Sequence, residues 1–277
     1  MLDFCYLNGK ILPFNKAVIN LDDLGMLRGY GVFEVLKTVN NKIFLFDEHF
    51  MRLKNSAEFL GIKLSHKKSE IEEIIKKLII KNKIKEAAIR IVLTGGRSLD
   101  AITLNSKTPT FYILVSEYKP LNEKLFKNGV NLKTVSYARD FSEFKTTNYI
   151  KAVKEINSRQ RQEKFFEILY VSDGKILECS TSNFFVFIGD KLITPEEGVL
   201  KGITRNFVLR LAKKYFDTEE RDLKIEEMPY VSEAFLSATN KDILPVVKID
   251  NKTIGDGKPG KNTKKLMKAL KDFTEKY

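Results

Sequence analysis

The chain has 277 residues, enough to bury a full core as two domains or as one large α/β unit. A hydrophobic content of 43% with 30% charged residues excludes disorder as the default, and the longest apolar runs, "AIRIVL" and "TFYILV", are far too short to span a bilayer. The net charge of +12 comes mostly from lysine interleaved with glutamate, as in "KKSEIEEIIKKL", which describes solvated helix faces rather than the clustered basic surface of a nucleic-acid site.

The first residues, "MLDFCYLNGK", have no basic start followed by an apolar stretch, so no signal peptide is expected. Two cysteines, Cys5 and Cys179, do not make a disulfide framework, and a cytoplasmic enzyme is the expectation.

In chain order, "FCYLNGKILP" reads as two short strands around an Asn-Gly turn, and "GVFEVLKTVNNKIFLF" as a second hairpin about its two asparagines. A helix follows in "DEHFMRLKNSAEFLGI", with Asp47 as its cap, Phe50, Leu53, Ala57 and Leu60 on one face and Gly61 at its end. Ile71, Ile74, Ile75 and Leu78 mark another amphipathic helix in "SEIEEIIKKLIIKN". "AAIRIVLT" and "TFYILVS" are strands of the buried type.

Pro120, the charges and Gly129 in "EYKPLNEKLFKNG" break this pattern and suggest an interdomain linker over 119–128, between domains at 1–118 and 129–277. Strand "NLKTVSYA" comes next, followed by "RDFSEFKTTNYIKAVKEI" as a loop and then a helix. Strands "FEILYVS" and "NFFVFIG", a helix from Thr204 to about Tyr215, strands "AFLSAT" and "LPVVKI", and a helix from about Asn262 complete an α/β or α+β layout in two parts.

Several short stretches suit chemistry, each with an ordinary structural alternative. "VLKGITRNF" opens a helix after glycine, so the backbone N–H groups of Ile203 and Thr204 form a potential anion site, or Thr204 simply caps the helix. "LSATNKDIL" sets Ser237, Thr239 and Asn240 after a strand, as a second donor cluster or a polar turn. Arg52 either forks onto a phosphate or pairs with Glu48 or Glu58. Glu178 in "ILECSTSN" is either a solvated loop charge or the fixed anion beside a cationic ring nitrogen.

Taken in order, "EHFMRL", "KTTN", Glu178, "KGITR" and "SATNKD" resemble the class IV (fold type IV) pyridoxal-phosphate enzymes, and the likeness runs from "YLNGK" to the C-terminal helix. The resemblance implies a smaller N-terminal α/β domain and a larger C-terminal pseudo-barrel domain. It implies pyridoxal 5'-phosphate as cofactor, with the pyridoxamine form as its other state, and a homodimer; no metal, nucleic-acid or membrane partner is expected.

Of the lysines in the 139–156 stretch, only Lys145 fits the family's Lys-x-x-Asn pattern for the Schiff-base lysine; Lys151 and Lys154 then fall on the helix surface. Carried over residue by residue, Arg52, Ile203, Thr204, Thr239 and Asn240 hold the cofactor phosphate. Glu178 pairs with the pyridine nitrogen, and Tyr149 meets the ring's phenolic oxygen. Cys179 stands where many members have glycine.

Within the family, "GVFEVLK" and a "KTTN" without extra glycines resemble D-amino acid transaminases more than branched-chain enzymes. The Arg-x-His pair of many D-transaminases is missing; "GGRSLDAITL" offers Arg97 alone. Arg28, Phe33 and Arg90 are the residues expected at the substrate carboxylate, Arg28 from a neighbouring subunit, as in the subset lacking that pair. The expected activity is transfer of an amino group between an amino acid and a 2-oxo acid such as 2-oxoglutarate or pyruvate, with a D-amino acid donor favoured. A branched-chain L-amino acid aminotransferase and an aminodeoxychorismate lyase are the alternatives.

Overall fold

The computed structural model describes residues 3–159 and 164–277. The chain forms two compact units, Met1–Lys119 with Phe144–Asn148, and Pro120–Glu143 with Tyr149–Tyr277.

The first unit contains β1 (Phe4–Leu7), β2 (Lys10–Pro13), α1 (Leu24–Arg28), β3 (Gly31–Val39), β4 (Lys42–Ile43), α2 (Phe46–Phe59), α3 (Lys68–Lys81), β5 (Ala87–Thr94) and β6 (Thr110–Glu117). Its six strands form one antiparallel sheet in the order β2-β1-β6-β5-β3-β4. The β3–β4 turn uses Asn40 and Asn41, both at positive φ (51° and 62°), the conformation a tight hairpin requires. Leu53 and Ala57 of α2 and Ile71, Ile75 and Leu78 of α3 pack with Leu36, Ile89, Ile91, Ile113 and Val115 of the sheet to make the core.

The start of α2 differs from expectation. Leu45, left-handed at φ 51°, occupies the cap position, and Asp47 lies in the first turn, where its charge favours the helix dipole. The chain must bend sharply out of the short β4, and backbone conformation rather than a side-chain cap makes that bend.

The second unit contains α4 (Glu123–Asn128), β7 (Val130–Ser136), α5 (Ile150–Arg159), β8 (Glu167–Ser172), β9 (Lys175–Cys179), β10 (Asn183–Ile188), β11 (Lys191–Thr194), α6 (Ile203–Ala212), β12 (Asp217–Glu220), β13 (Leu223–Lys224), β14 (Val231–Ala238), β15 (Asp242–Ile249), β16 (Lys252–Thr253) and α7 (Lys261–Glu275). Its mixed sheet runs β12-β11-β10-β14-β15-β7-β8-β9-β13, with β16 paired to β15. β15–β7, β7–β8 and β11–β12 are parallel. Phe184, Val186, Leu236, Leu244 and Val246 sit in its main core.

Residues 119–128 do not run as an open linker. Asn122 caps α4 through a bond from the Lys124 N–H, and Leu125 and Phe126 pack on the second unit's core. The apolar pair inside a charged segment is what draws it onto the unit. Among the described residues no helix is long and apolar enough to cross a membrane.

Candidate functional site

In the first unit, the 144–148 segment lies along the start of β3. Phe33 N donates to the Lys145 carbonyl (3.0 Å), Thr147 N donates to the Gly31 carbonyl (2.8 Å), and Val32 and Thr146 form an isolated bridge. Lys145 N also donates to Ser56 Oγ at 3.3 Å. These bonds fix the backbone from which the half-buried Lys145 side chain leaves, and its Nζ stands 4.6 Å from the centre of the Phe33 ring. The Arg90 guanidinium reaches the same ring at 5.7 Å. β3–β5 register sets Arg90 opposite Val35, two residues along from Phe33 and so on its face of the sheet. An amine and a guanidinium therefore share one aromatic platform.

The other two lysines of the stretch differ. Lys151 pairs with Glu155 one helical turn on at 2.8 Å, and Lys154 is exposed.

Arg52 pairs with neither Glu48 nor Glu58. Its Nε and Nη2 fork onto the fully buried Glu34 of β3, at 2.7 and 2.8 Å, which leaves the Nη1 donors outside the fork. His49 Nδ1 meets Glu34 Oε2 at 2.7 Å. Burial pushes the Glu34 carboxyl up, but the Arg52 charge and fork, reinforced by His49, outweigh it and hold the group at about 2. Burial depresses His49 in spite of the Glu34 charge beside it, so its neutral form is favoured.

Arg28 is exposed and donates to the carbonyl of its own neighbour, Leu27. Arg97 is held by Asp22 at 2.8–3.1 Å. Of the three residues expected at the substrate carboxylate, the first unit brings Phe33 and Arg90 to Lys145 but leaves Arg28 on its surface.

In the second unit, Glu178 near the end of β9 is buried, with both carboxylate oxygens engaged. Oε1 faces Arg139 Nε at 2.9 Å, as an ion pair rather than an aligned hydrogen bond. Oε2 accepts from Leu200 N (3.0 Å) and Asn183 Nδ2 (3.4 Å). Asn183 Nδ2 also donates to the Leu200 carbonyl at 2.7 Å, tying the carboxylate to the loop that precedes α6. A buried carboxylate fastened in this way is a fixed anion, the kind of group that a cationic ring N–H can meet.

α6 begins after Gly202 with no side-chain cap, so Thr204 is not the cap. Ile203 and Thr204, both buried, contribute N–H groups of the helix's first turn, where the dipole favours an anion. Thr239 is half-buried and Asn240 exposed in the turn after β14; Ser237, two residues back in that strand, is buried with no hydrogen-bond partner for Oγ among the described residues. Tyr149 lies close enough to Tyr170 for the two phenols to affect each other, and burial chiefly pushes Tyr170 well above the usual phenol range.

Cys179 pairs with Leu169 across the sheet, where the β8–β9 register shifts between Leu169 and Val171; it packs in the core, and burial pushes its thiol well up. Among the described residues no group of histidines, cysteines or carboxylates is arranged to hold a metal.

Sequence reasoning missed Glu34, His49, Arg139 and Asn183. Glu34 carries one retrospective cue, a carboxylate inside the otherwise apolar strand run "GVFEVL"; Asn183 opens the apolar run "NFFVF".

The sequence profile of the class IV amino-transferases matches residues 31–249, most of the chain. The chain belongs to the class IV aminotransferase family. A Methanocaldococcus jannaschii protein assigned as a branched-chain-amino-acid aminotransferase is 31% identical, over 98% of this chain and 96% of its own. The D-alanine aminotransferase of Bacillus licheniformis is 30% identical, over 96% and 95%. Among solved structures, the Escherichia coli branched-chain amino acid aminotransferase superposes with a TM-score of 0.92 at 23% identity, covering 99% of this chain and 95% of its own. The T.th. branched-chain amino acid aminotransferase with pyridoxamine 5'-phosphate gives 0.91 at 24%, over 100% and 96%. At these identities the superpositions establish the fold, that of the fold type IV aminotransferases.

Proposed function

We propose that this protein is a pyridoxal 5'-phosphate-dependent transaminase that moves an amino group from an amino acid, with D-amino acids favoured, to a 2-oxo acid such as 2-oxoglutarate or pyruvate. The observation that carries the substrate class is the shared platform: the Arg90 guanidinium and the Lys145 amine both stand over the Phe33 ring, 5.7 and 4.6 Å from its centre. A substrate held by its carboxylate on one cation presents its α-carbon to a neighbouring amine.

Class IV aminotransferases use pyridoxal 5'-phosphate, and the residues here fit it. The buried Ser237 Oγ lacks a partner among the described residues, close in sequence to the Thr239–Asn240 donors. The first turn of α6 is uncapped, and Glu178 is a buried carboxylate fixed in place. When bound, the cofactor supplies an aldehyde that exchanges the amino group and a ring that withdraws electrons.

The chain's residues do the rest. Lys145 Nζ would attach the cofactor and, once free, would carry the proton from the substrate α-carbon to the cofactor's C4′. Glu178 holds a proton on the ring nitrogen, and Arg139, Asn183 and Leu200 N keep that carboxylate oriented. Arg52, with the Ile203 and Thr204 N–H groups and Thr239 and Asn240, binds the phosphate. Tyr149 is assigned to the phenolic oxygen.

Arg28, exposed on its own subunit, is assigned to the substrate carboxylate of a partner in a homodimer. A branched-chain L-amino acid aminotransferase is the second reading: Arg90 follows isoleucine as in that group, and the M. jannaschii relative is so assigned.

The deciding experiment is the visible spectrum of the protein with pyridoxal 5'-phosphate, titrated separately with D-alanine, D-glutamate and L-leucine. Loss of the cofactor band with the D-substrates alone supports the first reading, and loss with L-leucine alone supports the second. A protein that develops no band refutes the assignment of Lys145. Pyruvate released from aminodeoxychorismate without an oxo-acid acceptor would make the protein a lyase instead.

A further inference from the structure

Lys241 is a buried lysine in one of the second unit's chemistry-bearing turns, and the proposed reaction gives it no role. Its Nζ donates to Glu167 Oε2 (2.8 Å), Ser182 Oγ (2.7 Å) and Thr181 Oγ1 (2.5 Å). Glu167, at the start of β8, is buried: Oε1 accepts from Ser180 Oγ (3.2 Å), Thr181 N (2.5 Å) and Thr181 Oγ1 (2.8 Å), and Oε2 from Ser182 Oγ (2.9 Å) as well as from the lysine. Both side chains are under a tenth exposed. Burial pushes the Glu167 carboxyl up, but the lysine and the hydroxyls outweigh it and hold the group below its ordinary value. An ammonium that gives all three protons to oxygen acceptors has no lone pair to offer, so Lys241 does not compete with Lys145 as the amine of the reaction.

The network joins two turns far apart in sequence. One is 180–182, which leaves the strand carrying Glu178; the other is 239–241, which Lys241 N closes onto the Ala238 carbonyl at 3.1 Å and which carries Thr239 and Asn240. A buried ion pair is a poor source of stability, because desolvating both charges cancels most of their attraction, but it is an effective way to demand one geometry. Here the geometry demanded is the register of those two turns.

We propose that the Lys241–Glu167 pair is a positioning clamp that preorganises the ring-nitrogen and phosphate ligands of the second unit before the cofactor arrives. This rests on the roles proposed above for Glu178, Thr239 and Asn240. The two are positioning residues: neither touches cofactor or substrate.

The test measures binding of pyridoxamine 5'-phosphate, which needs no covalent link to Lys145, to the cofactor-free full chain, together with the melting temperature of that chain. Lys241→Met strands the Glu167 charge and risks misfolding, so the decisive variant is the double Glu167→Gln/Lys241→Met, which removes both charges. The expected result is a melting temperature close to wild type with a Kd at least tenfold weaker. A Kd within twofold of wild type overturns the clamp and leaves the pair a folding element. Should the double variant misfold, Ser182→Ala removes one hydroxyl and keeps the charges paired; an unchanged Kd there overturns the proposal equally. A wild-type chain that fails to bind pyridoxamine 5'-phosphate overturns the cofactor reading itself, a different failure from an unchanged variant.

Discussion

Arg52 grips Glu34 through two parallel hydrogen bonds, Nε to Oε1 at 2.7 Å and Nη2 to Oε2 at 2.8 Å, joining α2 to β3 at a carboxylate with no exposed surface. The fork fixes the plane of the guanidinium, so the Nη1 donors assigned to the cofactor phosphate are aimed by a residue that does not itself touch the phosphate.

Replacing Glu34 by glutamine leaves a nearly buried guanidinium without its counter-charge. Breaking one side of a buried pair costs on the order of 3–5 kcal/mol. Urea unfolding of Glu34→Gln is expected to show a loss in that range with an unchanged slope; a loss below about 1 kcal/mol would mean that the fork is incidental.

The same cluster predicts acid sensitivity. Glu34 is held at about 2, below its ordinary 4.5, so its stabilisation is full above the unfolded value and is lost as pH falls from about 4.5 toward 2. The difference corresponds to roughly 3 kcal/mol. His49 is also depressed, so stability starts to fall as pH drops below 6.5, where the unfolded chain gains a proton that the folded chain resists. Thermal melts from pH 8 to 3 should show both phases, and His49→Gln should shrink the upper one, leaving the share of His66, which burial also depresses.

Lys145→Ala is expected to lower turnover by at least 10²–10⁴-fold, the usual contribution of a positioned proton-transfer group. Mass spectrometry after borohydride reduction should find cofactor on the wild-type chain and none on the variant. Lys151→Ala, which breaks a pair with Glu155 and a contact with the Tyr137 ring 5.9 Å away, should change stability by about 1 kcal/mol or less and keep the adduct.

Arg90→Met removes a charge-assisted grip worth about 1.5–3 kcal/mol, which corresponds to a roughly 10–100-fold fall in kcat/KM for amino acids. Steady-state kinetics should place the change mainly in KM, and an amine donor without a carboxylate should be unaffected. Equal losses for both donors would remove Arg90 from the substrate site.

A methyl group on Gly202 would come within 2.0 Å of Asn183 Oδ1. Gly202→Ala should therefore displace Asn183, loosen its bonds to Glu178 and Leu200, and cost about 1–3 kcal/mol. Isothermal titration with pyridoxamine 5'-phosphate should show weaker binding; unchanged affinity would separate the Gly202 loop from the cofactor.

Much of the local structure was legible from neighbours in sequence. The paired asparagines at 40–41 anticipate a turn whose residues both take positive φ, and the apolar spacing of Ile71, Ile75 and Leu78 anticipates the buried face of α3. Tertiary packing added to the local cues where a bend or a short apolar pair took over. Leu45 displaced Asp47 from the α2 cap, and Leu125 and Phe126 drew an apparent linker onto a core.

By itself the sequence determined the longer helices and the turns, and its likeness to a family pattern singled out Lys145 among many lysines as the proposed Schiff-base residue. Only the tertiary structure decided which group each buried charge meets. Arg52 meets Glu34, 18 residues away; Glu178 meets Arg139, Asn183 and Leu200; and Lys241 meets Glu167, 74 residues away. Helix and turn preferences act over a few residues, so they are written in short stretches. A buried charge finds its partner through the cost of losing water, and that cost depends on distance in space, not on separation along the chain.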